Sequence, residues 1–174
     1  MNLTGSRVIA ADRGTVWAAL NDADVLRACI PGCQSLTGTP AEGFEATVVQ
    51  KVGPVKATFT GAVRLENIVD GESYAIIGEG KGGAAGFAKG RSDVRLRDAE
   101  GGGTELSYDV TATVGGKLAQ LGSRIIDGFA KKMADDFFDR FQIAVEGPDE
   151  AAAEVPEGEV PPEPRKGWLK RFVS

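Results

Sequence analysis

Between residues 117 and 145 the chain has no proline, and apolar side chains recur at Leu118, Leu121, Ile125, Phe129, Met133, Phe137, Phe141 and Val145. Steps of three and four put them on one face of a helix. Ile126, Ala130, Ala134 and Phe138 form a second row that widens the stripe. The pattern predicts a single helix roughly 43 Å long, at about 1.5 Å of rise per residue. Burying a rod of that length requires something large wrapped around it. The stripe reads either as plain core or as one wall of a cavity for an apolar ligand.

Upstream the period changes to two. Phe44, Ala46, Val48 and Val52 alternate with Glu45, Thr47 and Lys51. After a turn at Gly53-Pro54, Val55, Ala57, Phe59, Val63 and Leu65 alternate with Lys56, Thr58, Thr60, Arg64 and Glu66. That is a hairpin with one apolar and one wet face. Asp70-Gly71 marks a further turn before Tyr74 and Ile76, and Gly101-Gly102-Gly103 precedes Leu106, Tyr108, Val110, Ala112 and Val114. The start of the chain reads as a strand ending in Val8 and Ile9. A helix follows, with Asp12 as N-cap and Val16, Trp17 and Leu20 on its apolar side, then a second short helix ending at Pro31-Gly32. The predicted order is β-α-α-β-β-β-β-β-β-α. Only one face of this meander is apolar, and only the long helix can cover it. The expected fold is therefore α+β: a curved antiparallel sheet of six to seven strands wrapped around a long C-terminal helix, with two short helices after the first strand. Glycines inside the strand pattern, at Gly61, Gly78, Gly80, Gly86 and Gly90, suit a sheet that bends sharply or leaves room for something else. The tract around Gly78 to Gly83 has neither GxGxxG in a strand-to-helix setting nor the Walker spacing, which argues against a nucleotide site.

The domain suggested by this pattern spans residues 1–146. Residues 147–164 are acidic and rich in proline and alanine, the composition of an extended linker with nothing to bury. The sign of the charge then flips. Residues 165–174 hold Arg165, Lys166, Lys170 and Arg171 among Trp168, Leu169, Phe172 and Val173. As a helix, the four apolar residues would share a face, with the cations mostly off it. That is the pattern of a small amphipathic anchor lying at an anionic membrane surface, with Lys166, Trp168, Leu169, Lys170, Arg171 and Phe172 as the anchoring residues. A groove on a partner protein is the alternative destination.

Composition narrows the chemistry. The chain has no histidine, which removes Ser-His-Asp and Cys-His catalysis and imidazole metal sites. Cys29 and Cys33 could supply at most half of a zinc site and read as reduced, mostly buried thiols, so no metal is expected. The net charge of −5 argues against nucleic acid as a partner. Residues 1–7 lack an apolar signal region, and no apolar run approaches the ~18 residues of a spanning helix. A cytoplasmic protein, peripheral on the cytoplasmic face of the cell membrane, is expected.

Several stretches are similar to a known family: Val16-Trp17-Ala18-Ala19-Leu20-Asn21-Asp22, Cys29-Ile30-Pro31-Gly32-Cys33, Lys51-Val52-Gly53-Pro54-Val55, Gly86-Phe87-Ala88-Lys89-Gly90, and residues 114–124 from Val114-Gly115-Gly116-Lys117 to Gly122-Ser123-Arg124. Over about residues 1–146 the chain resembles the CoxG family of carbon monoxide dehydrogenase subunits, within the helix-grip START/SRPBCC superfamily. The resemblance implies a non-catalytic accessory protein that recruits a molybdenum-containing CO dehydrogenase, or a related molybdenum hydroxylase, to the cytoplasmic membrane. It also implies a hydrophobic ligand held between sheet and helix, a respiratory quinone (menaquinone or ubiquinone) serving as electron acceptor. From alternation and helical face, the ligand-binding residues would be Phe59, Phe87, Leu118, Leu121, Ile125, Phe129 and Met133. Two other readings stand beside this one. An assembly chaperone for the dehydrogenase would need no ligand. A helix-grip cyclase or aromatase would need an acid or base in the cavity, for which Tyr74, Tyr108, Asp127 and Lys131 are the candidates.

Overall fold

The period-two stretches form strands and the final apolar stripe forms the helix against which they curve. In the computed structural model, which describes residues 1–147, β1 (Asn2–Ile9) is followed by α1 (Arg13–Leu20) and α2 (Ala23–Cys29). Then come β2 (Cys33–Thr39), β3 (Gly43–Val52), β4 (Val55–Val69), β5 (Ser73–Lys81), β6 (Phe87–Asp98) and β7 (Thr104–Gly115). Two helices, α3 (Lys117–Gln120) and α4 (Ser123–Glu146), complete the order. The expected linker beyond Gly147 and the anchoring segment with Lys166, Trp168, Leu169, Lys170, Arg171 and Phe172 lie outside the described residues.

All seven strands belong to one sheet, in the order β1-β7-β6-β5-β4-β3-β2, and every neighbouring pair is antiparallel. β2 to β7 run as a meander of hairpins, while α1 and α2 carry the chain from one edge of the sheet to the other. Gly61 pairs with Gly80, and Gly78 with Gly90, so bare backbone crosses three central strands where the sheet bends. At Gly90 the glycine is obligatory, since an added Cβ would lie 2.5 Å from the Thr111 carbonyl oxygen.

The caps follow the sequence in part. The Asp22 carboxylate accepts the Asp24 and Val25 amides at 2.8 and 3.3 Å and so starts α2. Asp12 occupies the N-cap position of α1, but its carboxylate accepts the Thr15 hydroxyl instead of a backbone amide.

The single rod expected over residues 117–145 is two helices. Leu121 and Gly122 separate α3 from α4, and Gly122 has φ 89° and ψ 158°. That region is open to glycine and strained for any residue with a Cβ. The apolar spacing runs through the break unchanged, so periodicity alone could not reveal it. α4, with 24 residues, is about 36 Å long.

Two apolar clusters fasten α4 to the sheet. One holds Ile9, Val16, Leu20, Cys29, Tyr74, Val94, Leu96, Leu106 and Phe141 and seals the end nearest α1 and α2. The other, Val52, Leu118 and Ile126 with Phe59, Leu121 and Phe129 against it, seals the opposite end. Polar ties secure the C-terminal half of α4 to edge strand β1. The Arg7 guanidinium donates to Asp139 at 2.7 Å and to Gln142 at 3.0 Å, and lies 5.7 Å from the Phe138 ring centroid. The Ala10 amide donates to Glu146 at 2.8 Å. Among the described residues, no helix is long and apolar enough to cross a membrane.

Candidate ligand cavity

The two clusters leave the middle of α4 standing away from the sheet, and the sequence keeps both sides of that gap small. Gly80, Ala88, Ser92 and Ala112 face it from β5, β6 and β7, and Ala130 and Ala134 face it from α4. Larger side chains, among them Phe44, Val63 and Tyr108 on strands and Leu26 and Ile30 near α2, complete the wall. The result is a cavity of about 560 Å³ between sheet and helix. Ligand pockets commonly measure about 300–1,000 Å³, so this is the size of a binding site and not a packing flaw.

Its walls are apolar apart from Gln50, Ser92, Tyr74 and Tyr108. The Gln50 side-chain amide already donates to the Pro31 carbonyl at 2.5 Å. Tyr74 is buried, with its ring edge-on to Trp17 at 5.2 Å, and burial pushes its phenol well above the ordinary range. Tyr108 stacks on Phe138 at 5.1 Å. Its phenol is also pushed up, first by burial and then by the Asp135 carboxylate. Both hydroxyls are thus protonated donors at neutral pH.

Of the seven residues picked from the sequence, Phe59, Leu118, Phe129 and Met133 line this cavity. The other three are placed elsewhere. Phe87 lies on the outer face of the sheet, where its ring covers Gly115 so closely that an added Cβ there would collide with it. On β6 the even-numbered residues Ala88, Ser92 and Val94 face inward, so Phe87 has the wrong parity. Leu121 and Ile125 lie against the Gly53 turn, and Ile125 is 41% exposed. The break at Gly122 changes the phase of the stripe, so that Ile126 points inward in place of Ile125.

The acid–base candidates divide in the same way. Tyr74 and Tyr108 line the cavity. Asp127 and Lys131 are exposed, and the Lys131 ammonium pairs with Asp135 at 2.9 Å. Cys29 and Cys33 are free thiols. Cys29 is buried, and that burial pushes its thiol up. The small residues that create the volume were harder to find than the large ones that line it. Their signal is glycine, alanine or serine at an inward-facing position, on strand and helix alike.

A family profile described as the CoxG subunit of carbon monoxide dehydrogenase matches residues 5–146. No curated protein matches the chain significantly. Among solved structures, a conserved protein from Geobacillus kaustophilus superposes with a TM-score of 0.78 at 29% identity, covering 84% of this chain and 95% of that one. A protein from Thermus thermophilus gives 0.64 at 15% identity, over 88% and 99% of the two chains. One from Rhizobium leguminosarum gives 0.63 at 16%, over 84% and 94%. The last two likenesses concern the fold alone, a sheet gripping a helix.

Proposed function

The chain belongs to the CoxG family of carbon monoxide dehydrogenase subunits, and on that premise we propose that it is a membrane adaptor carrying a respiratory quinone for the dehydrogenase. Membership associates it with CO dehydrogenase as an accessory protein. The observation that carries the finer reading is the cavity: about 560 Å³, apolar almost throughout, with two protonated phenols on its wall.

These residues suit a quinone. Its prenyl tail needs apolar walls, which Phe59, Leu118, Phe129 and Met133 supply. Its ring carbonyls are acceptors, and Tyr74, Tyr108 and Ser92 are donors. When bound, menaquinone or ubiquinone would supply the electron acceptor for the partner enzyme. The chain itself would shield the tail from water, orient the ring and exclude solvent. Each buried CH₂ contributes about 0.8 kcal/mol. The bilayer offers the tail a similar gain, so transfer between lipid and cavity is near balance and reversible. Binding through Phe59, Phe129 and Met133 and attachment through Trp168, Lys170 and Phe172 at the cytoplasmic face would then serve one task.

The test is native mass spectrometry of the full chain, purified from membranes in a mild detergent. A quinone mass on the protein is expected, weakened in Tyr74→Phe, which removes one donor and leaves the ring. If no quinone co-purifies and a short-chain quinone added in detergent fails to bind, the carrier reading is wrong. A chain that still captures the dehydrogenase under those conditions would be an assembly factor.

A further inference from the structure

The two ends of the sheet carry opposite charge. At one end three stretches meet: the β3–β4 turn, the β5–β6 turn and the β7–α4 connection. An added Cβ on Gly53 would touch Ile125 at 3.4 Å and Leu121 at 3.9 Å, and one on Gly116 would lie 2.6 Å from Gly86. Residues 51–56, 81–87 and 115–127 of this end hold Lys51, Lys56, Lys81, Lys117 and Arg124 against a single carboxylate, Asp127. All five cations are exposed, and none forms an ion pair among the described residues. The hairpin turns at the other end hold Glu42, Asp70, Glu72 and Glu100. In a chain of net charge −5, five unpaired cations at one end form a local field opposite in sign to the whole.

Apolar groups stand among those cations. Pro54 is exposed, Leu121 is half-buried and Ile125 is 41% exposed. Directly beneath lie Val52, Leu118 and Ile126, the cluster that closes the cavity at this end. Cations around a small exposed apolar centre complement a surface with anionic headgroups above hydrocarbon. We infer that this loop end of the folded domain docks on an anionic lipid surface. The docking stands on charge and apolar exposure and is independent of the quinone reading above.

The experiment compares the full chain with the triple variant Lys51→Gln/Lys56→Gln/Lys117→Gln on vesicles of phosphatidylglycerol in phosphatidylcholine, and on phosphatidylcholine alone. Each cation near an anionic surface is worth about fivefold in binding, so the variant should bind anionic vesicles about a hundredfold more weakly. Binding to neutral vesicles, and to a short-chain quinone in detergent, should be unchanged. Equal binding of the two proteins to anionic vesicles would overturn the docking. Unchanged vesicle binding with lost capture of the dehydrogenase would identify a protein-docking face instead, and would equally overturn it. Failure to bind quinone in detergent would count against the carrier function and leave the docking result standing.

Discussion

Ala130 stands on the cavity-facing side of α4 between Phe129 and Met133, with open volume in front of it. Replacing it with leucine adds three carbons to a site where they displace nothing. At about 0.8 kcal/mol per buried methylene the gain approaches ~2.4 kcal/mol. Fixing the leucine rotamer costs about 0.5–1 kcal/mol, and lower helix propensity a few tenths more. The net expectation is a stabilisation of about 1–1.5 kcal/mol. For a domain of this size that raises the melting temperature by about 3–5 °C. The same three carbons occupy space a ligand would fill, so a bound quinone forfeits about 2.4 kcal/mol of contact. That corresponds to affinity lower by on the order of fiftyfold. Calorimetry of the ligand-free protein reads the first effect, and titration with a short-chain quinone, followed by quenching of Trp17, reads the second. The variant should become more stable and bind more weakly. Destabilisation by more than about 1 kcal/mol, the mark of an overpacked core, would mean that the gap is closed in solution. Greater stability with unchanged affinity would mean that the ligand binds elsewhere.

Three further outcomes test the framework around the cavity. Gly122→Ala forces a Cβ into a backbone region held by glycine, though nothing lies within 4 Å of it; the cost should be about 1–3 kcal/mol of pure backbone strain, read from urea midpoints, and a neutral result would refute the account of the helix break. Phe141→Ala empties a fully buried site in the closed cluster and should cost about 3–5 kcal/mol, whereas Met133→Ala, already facing open volume, should cost clearly less; equal losses would deny the difference between core and cavity wall. Burial raises Cys29 and Tyr74, so the folded chain keeps protons that the unfolded chain releases from about pH 8.5 and pH 10; their contribution is full below about pH 8 and is lost as pH rises, so urea midpoints should fall between pH 7 and pH 10, and a flat profile would contradict it.

What could be read from the sequence follows a physical boundary. The strands were legible because burial on one face imposes a period of two, as at Phe44, Val48 and Val52 opposite Val63, Phe59 and Val55. Turns declared themselves through Gly53-Pro54 and Asp70-Gly71. Inward parity identified Phe59, Tyr74 and Tyr108, and helical face identified Phe129 and Met133. Phe87 was misplaced because the glycine-rich tract before it hides where β6 begins, and parity cannot be counted from an unknown start. Leu121 and Ile125 were misplaced because a single glycine shifts helical phase without altering the spacing of apolar residues. The volume itself was least legible. It depends on Gly80, Ser92 and Ala112 meeting Ala130 and Ala134 across a gap, a coincidence between distant segments that no local window contains.

That coincidence has an energetic consequence. A space of about 560 Å³ between sheet and helix leaves the side chains around it without partner atoms, which costs the ligand-free protein packing energy. Water in that space finds few hydrogen-bond partners, because the wall offers only Tyr74, Tyr108, Ser92 and the partly committed Gln50. An apolar ligand restores the missing contacts along Phe59, Leu118, Phe129 and Met133 and leaves the phenols to meet whatever acceptors it carries. Stability and occupancy are therefore linked. A ligand present at a hundred times its dissociation constant adds about 2.7 kcal/mol to the folded state, more than filling the wall with Ala130→Leu provides. The alanines and glycine that keep the wall thin thus sacrifice packing in the free protein for open space that an apolar ligand would fill.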